Sequence, residues 1–520
     1  MYASPFLFIT ALLAEAAVAM LFFCRLIDQH PTPTRRKWLS GLLAVLALAS
    51  IAAYFDFGMY PKFGSFMNSH DFFHYYLGAK YSKEVGYYDL YPAVIVADTE
   101  NNVEPSHTSY RRMTDYGFDS ARNVRQNGRT RVYKQAFTEA RWDEFRKDVT
   151  YFQKLLGKRW PEVVKDKGYN ATPVWNMVAG AMANRIPTDG RLGLRPLVYL
   201  DLALLATTFV VVYRAFGLRT CMLAVTFFGT CFPMSFTHIR GAFLRLDWVT
   251  LLVIALCLIK RARYKTAGAL MAYAGMARIF PVVFVFGLGA KWLWETVVRR
   301  RFRREYLEFF LVFAAGSLAL VGLSLYVADG TAQWRDFFKK IALHNNDLSP
   351  HRIGFKYIFL MTYENAVGGW RAFEAQKMQM FSDLRALWWF IQAVVCLVSI
   401  RLVKDLEDYE TVAYGYVLAF FLFAPTFYYH VMLLLPLFLF LPKLDRLPRT
   451  IGASAMFILS IVVYGLLTGF RLESLTLSFI VSCILLGLVL YIMTLAFFTK
   501  PCVESALLEE ASVHGTPDAC

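Results

Sequence analysis

Gly41-Leu42-Leu43-Ala44-Val45-Leu46-Ala47-Leu48-Ala49-Ser50-Ile51-Ala52-Ala53 lies inside an apolar run over 38–57. His70-Asp71-Phe72-Phe73-His74-Tyr75-Tyr76-Leu77-Gly78-Ala79-Lys80-Tyr81 follows it. The run is long enough to cross a bilayer as a helix, which takes about 20 apolar residues. The stretch after it puts a carboxylate, two imidazoles and a row of rings where the chain leaves the membrane. An ordinary surface loop would hold more Ser, Gly and Lys. Tyr87-Tyr88-Asp89-Leu90-Tyr91 continues the aromatic run.

The apolar signature recurs to the C-terminus. The 520 residues are 57% hydrophobic and 17% aromatic, and the mean hydropathy is +0.40. The chain therefore reads as an all-α polytopic membrane protein with about 13 transmembrane helices and a large first external loop carrying amphipathic helices. The first run, about 4–24, lacks a basic flank and a small-residue cleavage site, so it reads as a retained helix rather than a signal peptide. The formal charge of +16 is not a nucleic-acid footprint: the Lys and Arg sit mostly in short loops between apolar runs, where they set topology. The eight cysteines form no CxxC pair and none lies in the longest polar segment, which disfavours a metal cluster or a disulfide-stapled ectodomain.

Charge asymmetry orders the chain. Two N-terminal helices (1–57) are joined by the basic loop around Arg35-Arg36-Lys37, expected on the cytoplasmic side. The large external loop follows (58–195), with a helical apolar spacing over 137–156 that predicts an amphipathic interfacial helix. An apolar stretch over 172–183 is too short to span and is expected to lie in the interface or re-enter. Asn170-Ala171-Thr172 is a glycosylation sequon, meaningful in a secretory-pathway host. A bundle with a second external loop at 328–385 fills 196–498, and 499–520 is a cytoplasmic tail. The apolar segments 266–297 and 411–441 each run between two basic loops, so each must turn back as a hairpin. Their tips fall at Arg278-Ile279-Phe280-Pro281 and Pro425-Thr426-Phe427-Tyr428-Tyr429-His430.

This topology gathers five polar segments on one face. They carry Asp71; Arg240, Arg245 and Asp247; Arg278; His344, Asp347, His351 and Arg352; and Tyr428, Tyr429 and His430. Each has a structural reading when taken singly: a helix cap for Asp71, a snorkelling Arg, an aromatic-belt Tyr, a mutual Arg245–Asp247 pair. Their convergence favours a site, because ionisable groups at membrane depth are costly. A carboxylate there can take a proton from a hydroxyl. Arg240, Arg245 and Arg278 suit a departing phosphate. The candidate substrate-binding groups are His70, His74, Tyr75, Tyr76, Asp247, His344, His351, Arg352, Tyr429 and His430. No Walker, Rossmann, HExxH or GxSxG signature is present, and no metal-ligand set is assigned.

These features resemble the GT-C glycosyltransferase superfamily, polytopic enzymes that use polyprenyl-phosphate-linked sugars. The resemblance is carried by the acid opening the first large loop, the Arg278-Ile279-Phe280-Pro281 tip, and the Pro-aromatic tip before Leu433-Leu434-Leu435-Pro436. It covers roughly 38–498, and Asp71-Phe72 followed by Tyr75-Tyr76 is similar to the bacterial mannosyltransferase-like group. It implies a hexosyl- or pentosyltransferase in which Asp71 is the catalytic carboxylate and Arg278 a donor-phosphate ligand. The donor would be a polyprenyl-phosphate sugar and the acceptor a lipid or glycan. The setting would be a bacterial inner membrane, with contact to membrane lipids and a periplasmic active site in the cell envelope. His70 stands where a second acid would be expected, and the first helix is additional to the usual arrangement. No cofactor is assigned, although room is left for a divalent cation, with Asp98, Glu100 and Asp247 as candidate second acids. An O-antigen ligase or polymerase and a secondary transporter of a lipid-linked or anionic substrate share some of these features.

Overall fold

The computed structural model describes residues 5–60, 62–102, 106–126, 129–235, 239–328, 330–346, 348–349, 351–361, 369–469 and 474–499. Asp347 and the tail beyond 499 lie outside the described residues. Among those described, the regular structure is helical apart from one antiparallel ribbon, Ser109–Arg111 with Phe118–Ser120. Eight helices are long and apolar enough to cross a membrane: Leu7–Gln29, Pro33–Tyr54, Arg195–Phe216, Phe280–Val297, Arg304–Val327, Arg385–Val403, Leu447–Thr468 and Leu475–Phe497. Leu218–Thr230 and Phe427–Lys443 are apolar but shorter. Asp247–Lys260, Tyr264–Arg278 and Asp408–Leu422 run for 14, 15 and 15 residues. At about 1.5 Å per residue these fall short of the ~30 Å hydrocarbon thickness. Among the described residues, eight helices rather than the expected total of about 13 are long and apolar enough to cross a membrane.

Local chemistry explains the ends. The second helix starts at Pro33, five residues before the apolar run, because Thr32 accepts the Arg35 amide at 3.2 Å and Pro33 occupies the first turn. Arg35, Arg36 and Lys37 are therefore helical, not loop. Arg304–Val327 leaves Leu311, Leu318, Leu323 and Tyr326 exposed, an apolar flank of the kind lipid covers.

Among the described residues, a small cluster of Leu348, Tyr357 and Leu475 accompanies two large hydrophobic cores. One fills the bundle. The other belongs mainly to the 58–195 segment and joins Phe73, Tyr81, Phe145, Val149, Phe152 and Trp160. The amphipathic helix is Glu139–Leu156, capped by Thr138. Its apolar face packs on the Ser69–Lys80 and Leu90–Asn101 helices. This corrects the interfacial expectation: protein, not the bilayer surface, covers that face. Pro173–Ala183, with Val174, Trp175 and Ala179 buried, packs on Ser69–Lys80, Tyr264–Arg278 and Arg304–Val327. Close approach is possible because Gly180 faces the Ala79 carbonyl, which a Cβ would meet at 2.8 Å.

Candidate active site

Ser69–Lys80 forms a helix because Asn68 caps it, its side chain accepting the Asp71 amide at 3.1 Å. The cap sets Asp71 in the first turn, pointing into protein. A turn from the bundle meets it there. Gly241, at φ +62, is packed against the Phe66 carbonyl, and its own carbonyl accepts the Asn68 amide at 2.8 Å. A side chain at 241 would collide with that backbone, so a glycine lets the 239–246 turn close on the helix.

The turn delivers two groups to Asp71. The Phe243 amide donates to Oδ1 at 3.2 Å, and Arg245 Nε lies 3.3 Å from Oδ2. Both side chains are about 5–6% exposed. Burial pushes the Asp71 carboxyl above its ordinary range, and the Arg245 guanidinium opposes that push. The Arg245 guanidinium stacks over Tyr75 at 4.1 Å and approaches Tyr428 at 5.4 Å. Its Nη1 is buried and has no hydrogen-bond partner among the described residues.

Arg278 stands on the other side of Leu244. Its Nη2 donates to the Leu244 carbonyl at 3.1 Å and lies 3.5 Å from Asp247 Oδ1. Its guanidinium is 5.2 Å from the Trp175 ring, and its buried Nε also lacks a partner among the described residues. Tyr273 donates to Asp247 Oδ2 at 2.9 Å, and Trp175 Nε1 donates to the same Leu244 carbonyl at 3.1 Å. Asp247 thus pairs with Arg278, while Arg245 pairs with Asp71. The 425–430 tip packs alongside, with Tyr429 against Phe280 and Trp248. Backbone strain flanks both arginines: Leu244 has φ +51 and Ile279 φ +62, conformations that cost roughly 1–3 kcal/mol in a non-glycine residue.

Other candidates are placed apart from this pair of arginines. Arg240 is held by Asp56 in a buried fork of 3.0 and 2.7 Å and by the Tyr54 carbonyl at 2.7 Å. Its donors therefore tie the second helix to the turn. Tyr76 points into the 58–195 core, its hydroxyl on the Ile186 carbonyl at 3.0 Å. His344 meets Tyr116 at 3.2 Å and accepts Arg352 at its carbonyl at 2.5 Å. The His351 and Pro425 carbonyls take the Phe427 and Ile353 amides at 2.8 and 3.1 Å. His430 is buried between Tyr416 and the Ile353 carbonyl. Among the proposed second acids, Asp98 accepts from Trp160, Ser106 and Asn102, and Glu100 from Lys134 and Trp142. Both are scaffold of the 58–195 segment.

Four residues of these sites escaped the sequence reading: Asp201, Trp175, Tyr273 and Asp166. Asp201 accepts the Arg245 and Leu246 amides at 2.9 and 3.3 Å and so fixes the turn that carries Arg245. An acid in the middle of an apolar run was its signal. Trp175 and Tyr273 carry no such mark. His70 and His74 draw Asp166 to them, giving a set of imidazole and carboxylate groups whose ligand atoms lie within 4.8 Å of one another. No family model, curated protein or solved structure matches the chain.

Proposed function

We propose that this chain is an integral-membrane glycosyltransferase. It would move a sugar from a polyprenyl-phosphate donor to an acceptor hydroxyl on the non-cytoplasmic face, with inversion at the anomeric carbon. The observation that carries the reading is the buried carboxylate of Asp71 beside two arginines that each keep a buried N–H without a partner among the described residues, Arg245 Nη1 and Arg278 Nε. Unpaired buried donors cost free energy, and a phosphate oxygen is the acceptor that suits a guanidinium best.

The reaction needs little more. The acceptor hydroxyl attacks the anomeric carbon while its proton passes to Asp71. The bond from that carbon to the phosphate oxygen breaks, and its electron pair leaves with polyprenyl phosphate. Arg245 and Arg278 offset the charge gathering on that phosphate. A phosphate bound to Arg245 also draws the guanidinium from Asp71 and leaves the carboxylate to accept the proton. Tyr75, Tyr428 and Trp175 supply faces for a sugar or an isoprenoid chain. General-base activation of this kind typically contributes about 10²–10⁴-fold.

The test is purified protein with a panel of radiolabelled polyprenyl-phosphate sugars. Release of polyprenyl phosphate is expected with at least one donor, and Asp71→Asn should lower the rate by about 10²-fold or more at unchanged expression. Full activity in Asp71→Asn would remove the base assignment. Uptake of intact donor into vesicles, with no release, would favour a transporter.

A further inference from the structure

His70 and His74 are four residues apart on the Ser69–Lys80 helix, so both rings project from one face. Asp166 comes from a separate connection, with Oδ2 at 3.9 Å from His70 Nε2. The two rings stand 4.7 Å apart, centroid to centroid. We propose that His70, His74 and Asp166 bind a zinc-class divalent cation, with one coordination position open to solvent.

Four features support the assignment. The donor set is two imidazoles and a carboxylate, a common three-ligand set for zinc with an open fourth place. His74 has its tautomer set by the fold: Nδ1 donates to the His70 carbonyl at 2.8 Å, so Nε2 carries the lone pair. That second contact is the one metal-bound histidines habitually make. The lone pair is taken by the Tyr91 hydroxyl at 2.7 Å, but Tyr91 has another acceptor in reach, the Asp166 carbonyl at 3.3 Å. It can turn to that carbonyl when a cation takes Nε2. Finally, the rest of the set can close. Zinc ligand atoms about 2.0–2.1 Å from the metal lie roughly 3.4 Å from each other, so the present spread within 4.8 Å must contract by up to about 1.4 Å. His70 and Asp166 are 41% and 49% exposed at their side chains and have room to do so. A bound ion would join the start of the Ser69–Lys80 helix to the connection before Pro173–Ala183.

The site is tested without the transfer reaction. Full-length protein in detergent, stripped with chelator, is titrated with cobalt(II), followed by zinc competition and elemental analysis. The expected result is one zinc-displaceable cobalt per chain with visible d–d absorption. Asp166→Asn and His70→Ala should each weaken binding by about tenfold or more, with unchanged size-exclusion profiles. Asp166 and His70 are half exposed, so these variants test the ligands even if His74→Ala does not fold. Absence of stoichiometric binding in the unaltered chain would overturn the proposal. So would cobalt binding that survives both substitutions.

Discussion

Asp71 and Arg245 are neutralised by each other, yet each reaches beyond the pair: Asp71 to the Phe243 amide, Arg245 to the rings of Tyr75 and Tyr428. Arg278 is differently placed, since it leans on two carbonyls and one carboxylate and leaves Nε without a partner among the described residues. Arg278→Ala should therefore raise the apparent donor KM more than the acceptor KM, by about tenfold or more for one lost charge-assisted contact. An unchanged donor KM would separate Arg278 from the phosphate. Lys340 offers a separate test, through stability. It is buried, with its ammonium near the Tyr87 and Met113 carbonyls at 3.4 and 3.5 Å. Burial pushes it from an ordinary 10.5 down to about 7. Between those values the unfolded chain holds the extra proton, so stability rises with pH from about 7 upward, by at most ~1.4 kcal/mol per pH unit. Thermal midpoints in detergent at pH 7 and 9 should show that rise in the unaltered protein and lose it in Lys340→Met.

Elements place these residues by being interrupted. Tyr264–Arg278 ends where Ile279 takes φ +62 and ψ −59, and Pro281 forbids continuation of the same helix. The break turns Arg278 back against Leu244 instead of along a helix face. A β-branched residue is strained there, and that predicts an inverted order of substitution. Ile279→Gly should unfold at a higher temperature than Ile279→Ala, by about 1–2 kcal/mol, although glycine is the weaker helix former. The reverse order would mean that Ile279 carries no backbone strain. The Glu139–Leu156 helix acts through its apolar face and through buried Asp148, which accepts from Lys80, Tyr81 and Thr188 at 2.7, 2.8 and 2.6 Å. Phe152 is wholly buried against Phe73 and Tyr76, and Phe152→Ala should cost about 3–5 kcal/mol while leaving the donor KM of the folded fraction unchanged.

At the scale of the molecule the bundle has two poles. Asp247–Lys260, Tyr264–Arg278 and Asp408–Leu422 each have one end at the candidate site or beside its 425–430 tip. Their other ends meet in a polar cluster, where Asp408 accepts from Lys291 and Tyr306 at 2.6 and 2.7 Å, Glu407 from Lys260 and Glu410 from Lys443 at 2.7 Å. Helices of 14 and 15 residues separate the two poles by roughly 20 Å. A membrane-impermeant thiol reagent should therefore label Asn123→Cys and Arg301→Cys from opposite sides of sealed vesicles, with native cysteines blocked. Labelling from one side would mean that both poles share a compartment.

Hydrophobicity alone determined that the chain is helical and apolar enough to cross a membrane, because twenty consecutive apolar residues have few other stable states. The sequence also marked Asp71, Arg245 and Arg278, since charged groups at the ends of apolar runs stand out. Tertiary structure decided the pairing. Which carboxylate meets which guanidinium depends on the Gly241 turn and on Asp201, 44 residues from the amide it holds, and no local pattern encodes that distance. The same holds for the 58–195 segment, whose aromatic spacing suited either lipid or protein. Its core formed because the Ser69–Lys80 and Leu90–Asn101 helices present a matching apolar face. Thus Asp71, conspicuous in sequence, acquires its partner only when a turn 172 residues later closes on it.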